Sequence, residues 1–201
     1  MRVKSETNRT KILQAAKVEF LQAGAYASVS VDAIAKQAGV TKQTVYNYFS
    51  TKESLFIAVI TSIIGHPWDD GLPWSAAIRY ETRQDFQMIL LGILGIVRTK
   101  FTDKDYLAVL RIVIAESKTQ PELATLYRQQ IIEKAFAALQ AILEHAKEKG
   151  VIRIDAAAGT RMLVGSMLTY LFMRGICSPS EEFTISDEEL QTIVANFLID
   201  A

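Results

Sequence analysis

Cysteine, histidine and proline are scarce in this chain. Among its 201 residues there are one cysteine, two histidines and four prolines. A single cysteine excludes a disulfide within the chain and is typical of the reducing cytoplasm, where we expect the protein to act. Because half of the residues are apolar and prolines are few, the composition favours a compact all-α protein over a chain with disordered tracts.

The usual signatures of catalysis, metal binding and cofactor binding are also missing. His66 and His145 lie far apart in the sequence, and neither has a partner at metal-ligand spacing. Cys177 lies in an apolar run, which is typical of a packing cysteine. There is no G-x-S-x-G motif, Gly-rich phosphate loop or dinucleotide fingerprint. We therefore expect no enzyme activity, no metal and no cofactor.

Long hydrophobic runs are absent as well. The longest strongly apolar stretches, residues 88–97 and 162–173, are shorter than the roughly 20 residues that a membrane-spanning helix needs. Residues 1–11 are polar and charged, unlike a signal peptide. We expect buried helices at these stretches and no membrane partner.

The formal net charge of zero hides an uneven distribution. Residues 1–60 carry eight lysines and arginines against four aspartates and glutamates, whereas the remainder carries fourteen against eighteen. A basic N-terminal part followed by an acidic remainder suits a protein that binds DNA at one end only.

Residues 28–52 have the pattern of two short helices joined by a tight turn. Ser30 is a favourable N-cap for the first helix, and Thr41 is one for the second. Gly39 can adopt the left-handed conformation that ends a helix. Ala35 allows the helices to cross closely, and Val45, ten residues later, can pack back between them. This spacing predicts a helix-turn-helix, although similar hairpins occur in proteins that do not bind nucleic acid.

The outward residues of the second helix favour the DNA-binding interpretation. Lysines and tyrosine hydroxyls suit phosphate contacts, and Gln43 and Asn47 suit an adenine edge. The alternative is a solvated polar face with half-buried tyrosines. The predicted DNA-binding residues are Thr41, Lys42, Gln43, Thr44, Tyr46, Asn47, Tyr48 and Lys52.

Two further helices flank this pair. Residues 7–23 have an apolar face that includes Leu13, Ala16 and Phe20, and this helix completes a predicted three-helix core. The fourth helix opens at Ser50 and Glu53, which have the spacing of a capping box.

Residues 31–56, VDAIAKQAGVTKQTVYNYFSTKESLF, resemble the DNA-binding domain of the TetR family of bacterial regulators. The resemblance is specific and covers about the first quarter of the chain. Residues 114–123, IAESKTQPEL, are similar to the AefR-like branch of the family. The family positions that match are Lys42, Tyr46, Tyr48, Phe49, Lys52 and Leu55.

The resemblance implies a dimeric transcription regulator, most often a repressor, that is released from a palindromic DNA operator by a small ligand. It also implies a helix-turn-helix DNA-binding domain at residues 1–50 and a helical ligand-binding and dimerisation domain at residues 51–201. The resemblance and the hydrophobic periodicity of the later segments together predict about nine helices. The alternative is a ligand-independent helical DNA-binding or interaction module.

The body offers apolar residues that suit a small hydrophobic or aromatic effector, with few ionisable groups among them. Trp68 lies in a Gly- and Pro-rich loop, where it either closes a ligand cavity or fills space at the end of the body. A fully packed core is the alternative to a cavity. The predicted ligand-binding residues are Trp68, Phe86, Leu90, Leu94, Tyr106, Leu110, Ile114, Met162 and Tyr170.

The last two long helices carry more apolar residues than one chain covers easily. Residues 155–177 are apolar on more than one face, and residues 187–199 form an amphipathic helix. Such a pair suits a two-fold four-helix interface, and TetR-like proteins are similar in dimerising through their last two long helices. Core packing within one chain is the alternative. The predicted interface residues are Met167, Leu171, Leu190, Val194 and Phe197.

Overall fold

The computed structural model describes residues 2–64, 79–178 and 184–200 of the chain. The described residues are largely helical and contain no strand, which confirms the predicted all-α fold class. When each continuous helical run is counted once, these residues form nine helices, as predicted. Trp68, one of the predicted ligand-binding residues, lies outside the described residues.

Four helices form the N-terminal part: α1 (Arg2–Ala23), α2 (Val31–Ala38), α3 (Lys42–Tyr48) and α4 (Lys52–Ile64). The local signals predicted at the α2–α3 pair are confirmed. The Ser30 hydroxyl accepts a hydrogen bond from the Ala33 amide at 3.1 Å, and the Thr41 hydroxyl accepts one from the Thr44 amide at 3.1 Å. Gly39 has φ +67°, a conformation that favours glycine, and it ends α2.

The N-terminus of α4 differs from the prediction by one residue. The capping pair is Thr51 and Ser54: the Thr51 hydroxyl accepts from the Ser54 amide at 3.0 Å, and the Ser54 hydroxyl accepts from the Thr51 amide at 3.1 Å. The box predicted for Ser50 and Glu53 is therefore wrong. Glu53 instead accepts a hydrogen bond from the hydroxyl of Tyr26 at 2.8 Å.

The later helices contain two π-helical segments. Arg128–Ile132 joins two α-helices into one continuous run, and Leu171–Ile176 extends another. Because a π turn holds more residues than an α turn, it changes which side chains share a face. The α-helices are α5 (Arg83–Phe101), α6 (Lys104–Glu116), α7 (Pro121–Tyr127), α8 (Glu133–Glu148), α9 (Ala156–Tyr170) and α10 (Asp187–Asp200).

The chain divides into two compact units. Unit 1 comprises residues 1–66 and 104–132 and contains α1–α4, α6 and α7. Its core includes the rings of Phe20, Tyr26 and Phe56, whose centroids lie 4.6–5.9 Å apart. An ion pair of 2.6 Å between Lys17 and Asp105 links α1 to α6. Helices α6 and α7 both pack on α4.

Unit 2 comprises residues 67–103 and 133–201 and contains α5, α8, α9 and α10. Helix α9 packs on α8, and α10 packs on both α5 and α9. The Thr82 hydroxyl and the Asp85 carboxylate form a capping box that begins α5. The largest buried side chains of this core include Phe86, Leu90, Leu94, Leu143, Met167 and Phe197.

These units group helices by their packing, and they assign α6 and α7 to the same unit as the N-terminal helices. The predicted boundary at residue 50 separates a DNA-binding domain from a ligand-binding domain. Packing does not test that functional division, so it stays a prediction. Among the described helices, none is long and apolar enough to cross a membrane.

Candidate nucleic-acid interface

Helix α3 presents a polar surface on a short, capped helix. Val45 is buried beneath it, as the helix-turn-helix spacing predicts, and Phe49 is buried at its C-terminal end. The side chains of Thr44 and Tyr48 are half-buried. The predicted DNA-binding residues that are exposed are Thr41, Lys42, Gln43, Tyr46 and Asn47.

Hydrogen bonds within α3 order the side chains that face solvent. The Gln43 amide donates to the Asn47 amide oxygen at 3.1 Å, so the two side chains that suit base recognition hold one another. The hydroxyls of Thr41 and Thr44 lie 2.8 Å apart, next to the N-terminal cap that Thr41 forms. These two threonines therefore stabilise the start of α3 in addition to any DNA contact.

Lys42 is paired with an aspartate of α2. Its ammonium group lies 2.8 Å from the carboxylate of Asp32, and both side chains are exposed. The hydrogen bond to Asp32 raises the pKa of Lys42 above its ordinary value. Since the pair is exposed and weak in water, a DNA phosphate can replace Asp32 as the partner of Lys42.

Lys52 is placed differently from the α3 residues. Its ammonium group lies 2.5 Å from the carbonyl oxygen of Tyr26 and 4.0 Å from the centre of the Tyr26 ring. Burial lowers the pKa of Lys52. Burial also raises the pKa of Tyr26, and its hydrogen bond to Glu53 raises it further. The sequence did not predict the pairing of Tyr26 with Glu53, because no local pattern connects residues that are 27 positions apart.

The predicted ligand-binding residues are divided between the two units. In unit 2, Phe86, Leu90 and Leu94 are buried together, and Tyr170 is partly buried against the same core, whereas Met162 is exposed. In unit 1, Tyr106 and Leu110 are buried and Ile114 is exposed. Exposure of Met162 and Ile114 does not favour a role in an enclosed pocket, and the ligand assignment stays a prediction.

A buried polar pair lies beside the predicted ligand residues of α6. The hydroxyls of Tyr106 and Tyr127 are 2.6 Å apart. Burial raises the pKa of both tyrosines, so both stay neutral at physiological pH. The sequence did not predict a role for Tyr127, which lies on α7.

Unit 2 also has an open polar depression of about 440 Å³ that the sequence did not predict. Arg98 lines it and donates hydrogen bonds to the carboxylate of Asp187 at 2.5 Å and to the carbonyl oxygen of Ile185 at 3.0 Å. Threonine and serine side chains line much of the rest, so it differs from the apolar pocket that we expected.

The five predicted interface residues lie inside unit 2. Met167, Leu190, Val194 and Phe197 belong to its core, and Leu171 is also buried. Side chains that are already covered within one chain are poorly placed to cross a two-fold axis. Burial therefore favours the alternative of core packing for these five residues, and their role in a dimer remains only a prediction.

A different set of apolar residues on α9 and its π-helical extension is exposed. Met162, Leu168, Phe172 and Met173 lie at spacings that place them along one side of the helix. Gly165 lies in the same stripe, and no other atom comes within 4 Å of a Cβ atom built there. We call these five residues the α9 stripe.

Comparison with known proteins agrees with this architecture. Residues 12–59 match the family model for bacterial regulatory proteins of the TetR family. Residues 89–198, more than half of the chain, match the model for the C-terminal domain of AefR-like transcriptional repressors.

Individual relatives are distant in sequence, and the solved structures among them are similar in fold. YhgD of Bacillus subtilis strain 168, an uncharacterised HTH-type transcriptional regulator, is 24% identical over 70% of this chain and 67% of its own length. A Mesorhizobium loti MAFF303099 structure regarded as a TetR-family regulator is 24% identical, with a TM-score of 0.71, over 97% of this chain and 95% of that one.

The flavonoid-responsive regulator FrrA has 25% identity and a TM-score of 0.71, over 96% of this chain and 93% of its own.

The matches to the two family models together span the helix-turn-helix and most of the later helices. The chain belongs to the TetR family of bacterial transcriptional regulators, with a C-terminal domain of the AefR-like type.

Proposed function

We propose that this regulator is a repressor that binds a palindromic operator as a homodimer and is released by a small hydrophobic or aromatic effector. The observation that carries the DNA-binding part is the exposed polar face of α3, on a helix whose caps and buried Val45 fix it against α2. Because the major groove accepts a helix of this kind, α3 serves as the recognition helix. The repressor acts in the cytoplasm, where its operator is.

Within α3 the proposed roles follow from side-chain chemistry. Gln43 and Asn47 read base edges, since their amides match the donor and acceptor pattern of adenine. Lys42, Tyr46 and Tyr48 contact phosphates. Thr41 and Thr44 hold the start of the helix and contact the backbone from there. Lys52 joins the phosphate contacts only if it leaves Tyr26 on binding.

The α9 stripe supports the dimer proposal. Exposed apolar side chains at helical spacing lose contact with water when a second copy covers them. Gly165 within the stripe lets the partner helix approach closely. A two-fold dimer places two copies of α3 on successive half-sites, which is why we propose a palindromic operator.

Support for the effector class comes from residue chemistry and from one relative. The buried residues that we predict to bind it are apolar or tyrosine, and the Tyr106–Tyr127 pair supplies hydroxyls. FrrA, at 25% identity, responds to flavonoids, which are aromatic. We propose an effector of the same general kind, without assigning that compound class itself to this protein.

The DNA-binding proposal is tested by selecting duplexes from a random pool with the purified full-length protein. We expect enrichment of a palindrome whose half-sites lie about one helical turn apart or a multiple of it. Enrichment of no sequence would contradict the proposal. Enrichment of a single half-site would contradict the dimeric part of it.

The effector proposal is tested with a panel of small hydrophobic and aromatic compounds, which includes the flavonoids quercetin and naringenin, in thermal shift and operator-binding assays. A tenfold loss of operator affinity requires about 1.4 kcal/mol of coupling between the two sites. Leu90→Trp and Leu110→Trp place equal bulk in units 2 and 1, and the variant that abolishes the response identifies the unit that binds. If no compound changes melting or operator affinity, the ligand-independent alternative is favoured.

A further inference from the structure

The segment at residues 114–123, which resembles the AefR-like branch, has no part in the roles assigned above apart from the ligand-binding prediction for Ile114. It ends α6 and opens α7. The amides of Thr119 and Gln120 both donate to the Glu116 carbonyl, at 3.0 and 2.7 Å, and Pro121 occupies the first turn of α7. The backbone therefore closes the turn by itself, and the Glu116 carboxylate is not needed for it.

The Glu116 carboxylate reaches a distant part of unit 1. One oxygen accepts a hydrogen bond from the Thr119 hydroxyl at 2.7 Å, which orients the group. The other oxygen accepts from the backbone amide of Ala27 at 3.3 Å. These bonds, led by the one from Thr119, lower the pKa of Glu116, so the acceptor is ionised at neutral pH.

The Ala27 amide belongs to the connection between α1 and α2, and α4 holds the same connection from another direction. Lys52, the first residue of α4, bonds to the carbonyl oxygen of Tyr26, and the next residue, Glu53, accepts from the Tyr26 hydroxyl. Tyr26 and Ala27 are thus bound by side chains of two helices that come later in the chain. We call these two residues the α1–α2 turn.

Three residues after Ala27, Ser30 caps α2, and α2 packs directly on α3. A displacement of the α1–α2 turn therefore moves the start of α2 and, with it, the recognition helix. Since base recognition depends on geometry to a fraction of an ångström, such a movement affects a specific operator more than a random duplex.

We propose that Glu116 is a positioning residue for operator recognition, which holds the α1–α2 turn through the Ala27 amide and so keeps α2 and α3 in their DNA-binding arrangement. This inference rests on the proposed function of α3. It makes the C-terminal end of α6 a point from which the helix-turn-helix is controlled.

Electrostatics and a positioning role predict opposite effects on DNA binding when this carboxylate is removed. Glu116 is an anion in the DNA-binding unit, and loss of a negative charge on its own strengthens binding to polyanionic DNA. A positioning role predicts weaker operator binding instead. Glu122, an exposed glutamate at the start of α7, offers a control with the same change in charge.

The experiment compares full-length Glu116→Ala, Glu116→Gln and Glu122→Ala proteins by fluorescence anisotropy, on the selected operator and on a random duplex, over a range of salt concentrations. We expect Glu116→Ala to bind the operator roughly five- to tenfold more weakly, as the loss of one exposed hydrogen bond of ordinary strength predicts. Affinity for the random duplex should change only as much as it does in Glu122→Ala, which loses the same charge, and the salt slope should not change. Glu116→Gln should bind almost normally, because its amide oxygen still accepts from Ala27.

Operator binding by Glu116→Ala that is as tight as by Glu122→Ala, or an equal loss on both duplexes, would overturn the inference. If Glu116→Ala does not fold, Thr119→Ala replaces it, since that variant releases the carboxylate without removing it. An unchanged ratio of operator to random affinity in Thr119→Ala would then be decisive against the role. A wild-type protein that does not distinguish operator from random duplex would instead contradict the proposed function.

Discussion

Gly159 on α9 lies against the ring of Phe197 on α10. A Cβ atom at residue 159 would stand 3.2 Å from two carbon atoms of that ring and 3.1 Å from a methyl carbon of Leu143 on α8. The three helices therefore meet around a position without a side chain, and Phe197 fills the space inside a single chain. This contact explains why Phe197 is only 4% exposed although it was predicted to face a second protomer.

Two glycine substitutions test this packing. Gly92 on α5 is exposed, and a Cβ atom there meets nothing within 4 Å. We expect Gly92→Ala to stabilise the protein by about 0.5–1 kcal/mol through helix propensity. Gly159→Ala gains the same helix propensity, but its new methyl group must displace the side chains of Leu143 and Phe197, which costs about 1–3 kcal/mol of stability. Urea unfolding at one protein concentration should therefore rank Gly159→Ala below Gly92→Ala, and equal stabilisation would show that the contact yields easily.

A charge on the α9 stripe should separate the protomers without unfolding them. Phe172 is 55% exposed, so in Phe172→Asp the core of unit 2 stays intact while a carboxylate enters the proposed interface. We expect sedimentation to show a monomer with a normal helical circular dichroism spectrum. Phe197→Asp is the matched control, and it should unfold, because its carboxylate would be buried. A dimeric Phe172→Asp protein would exclude the stripe as the interface.

Lys52 and Lys42 should differ in the salt dependence of DNA binding. Lys42 is exposed on α3, so Lys42→Met should reduce the salt slope by about one phosphate contact and weaken binding to all duplexes. The ammonium of Lys52 is engaged by Tyr26, so Lys52→Met should leave the slope unchanged and weaken operator binding selectively. If Lys52→Met reduces the salt slope as much as Lys42→Met does, Lys52 contacts a phosphate, as the sequence predicts.

Gln43 should contribute to specificity and little to general affinity. Its amide is held by Asn47 and exposed at the surface of α3. Gln43→Ala should cost roughly 1–3 kcal/mol on the selected operator and leave the random duplex unchanged. The measurement is an equilibrium titration of both duplexes at one salt concentration. A similar loss on both would assign Gln43 to the DNA backbone.

Features that depend on neighbours within one helical turn could be predicted from the sequence. Ser30, Gly39 and Thr41 mark the ends of α2 and α3 through contacts that span three or four residues, and all three have their predicted conformations. The capping-box prediction for α4 was wrong although it also spans three residues, because the candidate pairs Ser50–Glu53 and Thr51–Ser54 overlap. Tertiary structure decided between them, since Tyr26 binds Glu53 and leaves Thr51 and Ser54 to cap the helix.

By itself the sequence determined the helical class, the helix-turn-helix and the family, because each depends on residue types at short, regular spacing. It did not determine which apolar residues are covered. Phe172 and Phe197 both lie on helical segments rich in apolar residues. Only the packing of α8, α9 and α10 buries Phe197 and exposes Phe172. Nor did it determine that Glu116 meets Ala27, since 89 residues separate them and only the fold of unit 1 brings them together. Burial and long-range hydrogen bonds depend on how two helices pack against each other. Periodicity within one helix shows only which of its residues share a face, so it does not predict those contacts.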